Sequence, residues 1–293
     1  MGAATMLLLA SVSCGAENIN VYMLARTASP SELEEAVKAG ANFNVSRDLS
    51  GEDYDKYGDG EIIYGFGGTP LHDAASFNHN PESVKYLVSL GLDVNAEGEE
   101  GLGSIGTPLT CAVNSKNFPA VKALLEAGAN PNYSEIVWFW CGTPFHTAAA
   151  WYKNPEEAGK VIGWLAEAGG DVNVHGEFTD EERYDVLEPL YSSGESSALL
   201  KGGRFDAEAP FRLDDAHLSR VGFLNAASSC TPLIYAVLYD NPAAVDALLD
   251  FGADAKIRNI EGRTALDYAR QLPAKSRLKR SPAWKRLKEA SRD

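Results

Sequence analysis

The chain has 293 residues, of which 45% are hydrophobic, and its 41 acidic against 26 basic residues give a formal net charge of −15 at pH 7. That balance excludes nucleic acid as a general partner, because a phosphate backbone demands concentrated positive charge, and it favours a basic protein instead. Four cysteines without close metal-ligand spacing are too few for a disulfide-built fold.

At the start, Ala3 to Val12 form an apolar run of signal-peptide length, and Cys14-Gly15-Ala16 supply small residues at a cleavage point. The run is too short to span a membrane, and no Lys or Arg precedes it. Cys14 resembles a bacterial lipoprotein cysteine, although Ser11 stands where an aliphatic residue is usual. Residues 1–16 therefore read as a signal or lipoprotein leader, and the chain as exported or periplasmic, with membrane attachment only through lipidation at Cys14. A hydrophobic extension packed on the helices that follow, in a cytoplasmic protein, is the alternative.

Ser29-Pro30-Ser31-Glu32 then opens a helix, with Leu33, Ala36 and Val37 inside and Gly40 ending it. Between residues 45 and 67 comes a stretch mixing carboxylates with aromatic rings, including Asp53, Tyr54, Asp55, Tyr57, Asp59 and Tyr64. Tyrosine offers rigid apolar area with a hydroxyl, and carboxylates attract basic groups, so this stretch reads as a recognition finger or as a solvated loop with its rings folded back. Its acidity invites a calcium reading, but Tyr57 and Tyr64 stand where oxygen ligands are needed, so no metal site is assigned.

From residue 68 a single phrase recurs: Gly68-Thr69-Pro70-Leu71-His72, Gly106-Thr107-Pro108-Leu109-Thr110, Gly142-Thr143-Pro144-Phe145-His146, Cys230-Thr231-Pro232-Leu233-Ile234 and the degenerate Thr264-Ala265-Leu266-Asp267. Thr can cap the first free backbone donors of a helix, and Pro fits the first turn, where its missing N–H costs nothing. Small residues follow, among them Ala74-Ala75, Ala112, Ala148-Ala149 and Ala236, which let a neighbouring helix approach closely. Each phrase leads to a second helix with apolar residues at three-and-four spacing, such as Val121, Leu124 and Leu125. Gly91, Gly128, Gly169 and Gly252 end those helices, and Asp93-Val94-Asn95, Asn130-Pro131-Asn132 and Asp171-Val172-Asn173 turn the chain.

On these motifs the chain resembles ankyrin-repeat proteins, with their Thr-Pro-Leu-His opening, Leu-Leu-x-x-Gly-Ala ending and Asp-x-Asn turn. The family's unit is about 33 residues, and the opening threonines keep near that spacing except between Thr143 and Thr231. Asp73 departs from the family, which usually keeps an apolar residue there. The resemblance implies an all-α ankyrin-repeat solenoid with enlarged inter-repeat loops, over residues 17–270 with insertions at 45–67 and 174–229, and a protein-binding role. It also implies a concave surface made from turns and first helices, which nominates Phe77, Asn114, Trp151, Tyr152, Tyr239 and Asp240.

Trp138 and Trp140 lie in an apolar turn before the phrase at Thr143, as a partner anchor or as loop packing. The insertion that follows is strongly acidic, with Glu177, Asp180, Glu181, Glu182, Asp185 and Glu188 at its start. Residues 271–293 form a basic tail or cap, in which Ser281-Pro282 opens a helix with Trp284 and Leu287 inward. Cys141 and Cys230 each precede an opening phrase, where an exported protein could bond them.

Phosphate-binding, zinc-protease, nucleophile-elbow and dinucleotide motifs are all missing from the sequence. His72 and His146 fill the phrase position, where a hydrogen bond between repeats explains them better than proton transfer. The sequence thus reads as a non-enzymatic protein-interaction module without catalytic residues, metal or cofactor, inhibiting or sequestering a basic protein. A structural envelope adaptor, or a hydrolase using carboxylates of the long insertion, are the alternatives.

Overall fold

The computed structural model describes residues 20–46, 68–100, 103–137, 140–176, 230–259 and 261–292. The chain divides into two compact units, one of Met1–Glu135 with Glu167–Gly170, the other of Ile136–Ala166 with Asp171–Asp293. Both are built from helix pairs, so the all-α repeat fold expected from the phrase is what forms.

In the first unit the pairs are α1 (Val21–Thr27) with α2 (Pro30–Lys38), α3 (Pro70–Phe77) with α4 (Pro81–Ser89), and α5 (Pro108–Asn114) with α6 (Phe118–Glu126). Helix α3 packs between α1 and α5, and α4 contacts α2 and α6, giving one layer of first helices and one of second helices. Leu24, Leu71 and Leu109 are buried in the first layer and Leu33, Leu87 and Leu124 in the second. The small residues act as expected: Ala74, Ala75 and Ala112 are all fully buried, where a larger side chain would push the layers apart. A short antiparallel hairpin of β1 (Gly98–Glu100) and β2 (Gly103–Gly106) feeds the start of α5.

A second hairpin, β3 (Glu135–Val137) and β4 (Trp140–Gly142), precedes α7 (Pro144–Trp151). The second unit continues with α8 (Pro155–Glu167), α9 (Pro232–Leu238), α10 (Pro242–Asp250) and α11 (Ala265–Gln271). It ends with a 3-10 turn at Leu278–Arg280 and α12 (Pro282–Ala290). Helix α9 packs on α7 and α11, while α12 packs on α10. Where α8 passes Phe251 it carries Gly163; a Cβ there would come within 2.7 Å of the phenylalanine ring, so the close approach depends on the missing side chain.

Within the basic stretch 271–293, expected as a tail or cap, α12 follows α11 and lies on α10 through the buried Ala283 and Leu287. Trp284 is half-buried rather than inward, with the Lys288 ammonium 4.9 Å from its ring centre.

The terminating glycines behave as read: Gly91, Gly128, Gly169 and Gly252 have φ of +90°, +91°, +89° and +88°. The opening threonines behave less uniformly. Thr231 and Thr264 accept the N–H three residues on, at 3.4 and 3.3 Å, but the hydroxyls of Thr69 and Thr143 lie against the imidazoles of His72 and His146 instead. The long insertion leaves and rejoins the second unit at neighbouring points, since Gly176 N–H donates to the Cys230 carbonyl at 3.2 Å. Residues 177–229 between them lie outside the described residues.

Candidate functional site

The polar side chains of the repeats sort into those that hold one repeat to the next and those that face outward. His72 and His146 belong to the first group. The Thr69 N–H donates to His72 Nδ1 at 3.0 Å, which leaves the proton on Nε2 to be donated to the Gly106 carbonyl at 3.3 Å. His146 repeats the arrangement, accepting from Thr143 N–H at 3.0 Å and donating to the Cys230 carbonyl at 2.8 Å. Burial pushes both imidazoles down to about 4, so each is neutral at ordinary pH and serves as a strut, not as a base.

Asparagines form a second ladder that the phrase does not announce. The side-chain amide of Asn117 donates to the carbonyls of Ala75 and Asn78, both at 2.9 Å, and Asn78 donates likewise to Ala25 and Ala28 at 2.9 and 3.0 Å. In the second unit Asn241 reaches Ala149 and Tyr152 at 2.7 and 3.0 Å. Each asparagine thereby satisfies carbonyls at the open C-terminal end of the preceding first helix. Asn117 and Asn241 also cap their own second helices through Oδ1, whereas after α3 the tasks are divided, Asn78 bridging and Asn80 capping. Asn80-Pro81 and Asn241-Pro242 carry the Asn-then-Pro pattern of a helix start, but nothing in that pattern announces the bridging, whose sequence signal is the recurrence of Asn between paired helices.

The turns carry a third set of bonds. Asp93, Asn130 and Asp171 each accept the N–H two residues on, closing the turn expected of Asp-x-Asn. The last residue of the motif reaches to the next repeat: Asn95 Oδ1 accepts from Asn130 N–H at 2.7 Å, and Asn173 Oδ1 from Asp254 N–H at 2.8 Å.

Asp73, out of pattern in the sequence, forms an ion pair with Arg26 at 2.7 Å, with side chains 9% and 11% exposed respectively. The same guanidinium lies 5.0 Å from the ring centre of Phe77. A charge at an apolar position is therefore matched by one on α1, which ties the degenerate first pair to the second.

Of the sequence-nominated partner residues, Phe77 and Trp151 are exposed, at 42% and 39%, and Asn114 is exposed at the end of α5. Phe77, Trp151 and Tyr239 occupy one repeat position, eight residues after Thr69, Thr143 and Thr231. Tyr239 is half-buried, stacked on Tyr235 at 5.7 Å, and its carbonyl accepts from Lys153 Nζ at 3.0 Å. Burial raises the Tyr239 hydroxyl well above its ordinary range.

Two nominations are corrected. Tyr152 is fully buried, because the chain turns inward after α7 and its carbonyl is held by Asn241, so it offers no outer surface. Asp240 is an internal anchor: in a left-handed conformation with φ +47°, its carboxylate accepts from the N–H groups of Arg277 and Leu278 at 2.7 and 2.8 Å. Asp53, Tyr54, Asp55, Tyr57, Asp59, Tyr64 and Trp138 lie outside the described residues, and Trp140 is described only by its backbone on β4. The side chain of Cys141, weighed as a bridge partner of Cys230, lies outside the described residues, and the buried Cys230 sulfur accepts from Asn259 Nδ2 at 3.8 Å. Asn259 also donates to Tyr268 at 2.7 Å, which in turn donates to Glu261 at 2.9 Å.

Among the described residues no cluster of three His, Cys, Asp or Glu side chains is placed to hold a metal ion, and no helix is long and apolar enough to cross a membrane.

Comparison with known proteins follows the same repeats. Models of ankyrin repeats match residues 33–135 and 71–175 in groups of three copies, and a many-copy ankyrin model matches 224–269. The chain is 32% identical over 223 residues to the mitochondrial disaggregase of Homo sapiens, covering 76% of this chain and 27% of that protein. It is 30% identical over 131 residues to ankyrin repeat and SOCS box protein 5 of Mus musculus, covering 45% and 33%. Over 204 residues it is 26% identical to the putative palmitoyltransferase ZDHHC13 of Danio rerio, covering 70% and 27%. The chain thus spans about a quarter to a third of the length of these relatives. The matched ranges take in α3 to α10 with His72, His146 and the Asp-x-Asn turns, and the chain belongs to the ankyrin-repeat family, whose fold is a protein-interaction module.

Proposed function

We propose that the protein is a non-enzymatic binding module that sequesters a basic protein, using the outer ends of its first helices together with the acidic and aromatic insertions at 45–67 and 174–229. The observation that carries this reading is the exposure of Phe77 and Trp151 at one repeat position. Large apolar side chains left in water at equivalent places are anchors in search of a pocket, while the net charge of −15 draws a basic partner toward them. The buried polar groups support the same reading from the other side, since His72, His146 and Asp73 are all engaged in holding helices together. The disaggregase and palmitoyltransferase names belong to much longer proteins, so the shared portion is read here as the part that binds. The apolar run Ala3 to Val12 before Cys14 supports placing the activity outside the cytoplasm.

The test is affinity capture from the source organism with wild-type and F77A/W151A baits, checked to melt alike. The wild type should enrich one or a few basic proteins that the variant loses. Equal capture by both baits, or enrichment without basic proteins, would reject the reading; fractionation of the full chain tests the address separately.

A further inference from the structure

Eight of the 26 basic residues of this acidic chain fall in its last 23 positions. Residues 271–292 contain Lys275, Arg277, Lys279, Arg280, Lys285, Arg286, Lys288 and Arg292, with Glu289 as their one acidic residue. Two of these cations have structural tasks. Arg286 pairs with Asp246 at 2.9 Å and with Asp250, fastening α12 to α10, and Lys279 Nζ donates to the carbonyls of Arg270 and Leu272. Lys275, Arg277, Arg280, Lys285, Lys288 and Arg292 are exposed.

Their placement is ordered. Ala283 and Leu287 define the buried side of α12, against α10. At about 100° per residue Lys285 and Lys288 then fall on the opposite side, three residues apart, and Arg292 follows just past the end of the helix. Like charges at that spacing destabilise a helix, and Lys285 also lies near the helix start, where the backbone dipole disfavours a cation. Glu289, at 3.8 Å from Lys285, offsets part of this repulsion. Beside the two lysines, Trp284 is half-buried beneath the Lys288 ammonium.

We propose that this outward face of α12 is a second docking surface, separate from the first-helix ends, and that its occupant is an acidic segment of a partner protein. A run of carboxylates would relieve the repulsion between Lys285 and Lys288, and an apolar residue within it would lie against Trp284. The site is independent of the basic-partner reading above, because it uses other residues and the opposite charge.

The full chain is titrated with a labelled oligo-glutamate peptide carrying one leucine, at low and at physiological salt. The wild type should bind, K285E/K288E should bind at least about tenfold more weakly, and K38E, which reverses an exposed lysine of α2, should bind as the wild type does. Thermal melts of the variants control for folding, and K285Q/K288Q, which removes charge without adding acids, should also weaken binding. Absence of wild-type binding, or an equal loss in K38E, would overturn the proposal. So would preference for anionic phospholipid vesicles over the peptide. Binding that appears only after the acids between Glu177 and Glu188 are neutralised would assign the face to this chain's own insertion, and would likewise overturn it.

Discussion

Acid should loosen each unit through one histidine. His72 and His146 are 3% and 0% exposed, and burial holds their pKa at about 4 in the fold against 6.5 in the unfolded chain. As pH falls below about 6.5 the unfolded chain takes up the proton first, so stability is whole above that value, declines down to about 4, and declines no further from this source. At pH 5 the linkage amounts to about 2 kcal/mol for each histidine relative to neutral pH. The measurement is the opening free energy of amides in α3 and α5, and in α7 and α9, from hydrogen exchange corrected for intrinsic rates at pH 7 and pH 5. His72→Gln should be less stable at both pH values, yet lose about 2 kcal/mol less than the wild type in the first unit on acidification. His146→Gln should do the same in the second unit. The comparison cancels the cost of losing the imidazole itself, because only the pH-dependent part remains. An imidazole that titrates near 6.5 by NMR in the folded protein, or equal acid loss in wild type and variants, would refute the reasoning.

The asparagine ladder predicts that Asn117→Ala costs about 2–3 kcal/mol, since it strands the Ala75 and Asn78 carbonyls in a buried position and removes a helix cap, whereas Asn114→Ala, on the exposed side, is near neutral; urea denaturation compares them. At the first pair, Asp73→Ala should cost about 3 kcal/mol by leaving the Arg26 charge buried without its carboxylate, and the double change Asp73→Leu with Arg26→Leu should recover most of that loss. A double variant as unstable as the single one would show that the pair is not what fastens α1 to α3.

Much of this architecture was legible because ankyrin repeats are made from local rules written several times over. Pro after Thr, small residues at the helix contact and Gly at the helix end each act within one turn of backbone, and repetition turns three weak signals into a strong one. What escaped the sequence depends on neighbours that local rules do not reach. Asn117 reads as an ordinary polar residue before a helix, and its bridging role exists only because the preceding first helix presents two open carbonyls beside it. Tyr152 and Trp151 are adjacent aromatic residues with similar sequence credentials, yet the turn after α7 buries one and leaves the other exposed. Asp240 looked like a surface acid until the segment before α12 folded back and donated two N–H groups to it. The same logic explains the basic end. Read alone, residues 271–293 are a basic tail or cap; with α10 beneath them, Ala283, Arg286 and Leu287 become one side of α12, and Lys285 and Lys288 become its other side. Inter-repeat packing therefore decides which polar residues are struts and which stay exposed, and that division is why the fold could be read from the motifs while the exposed surface needed the structure.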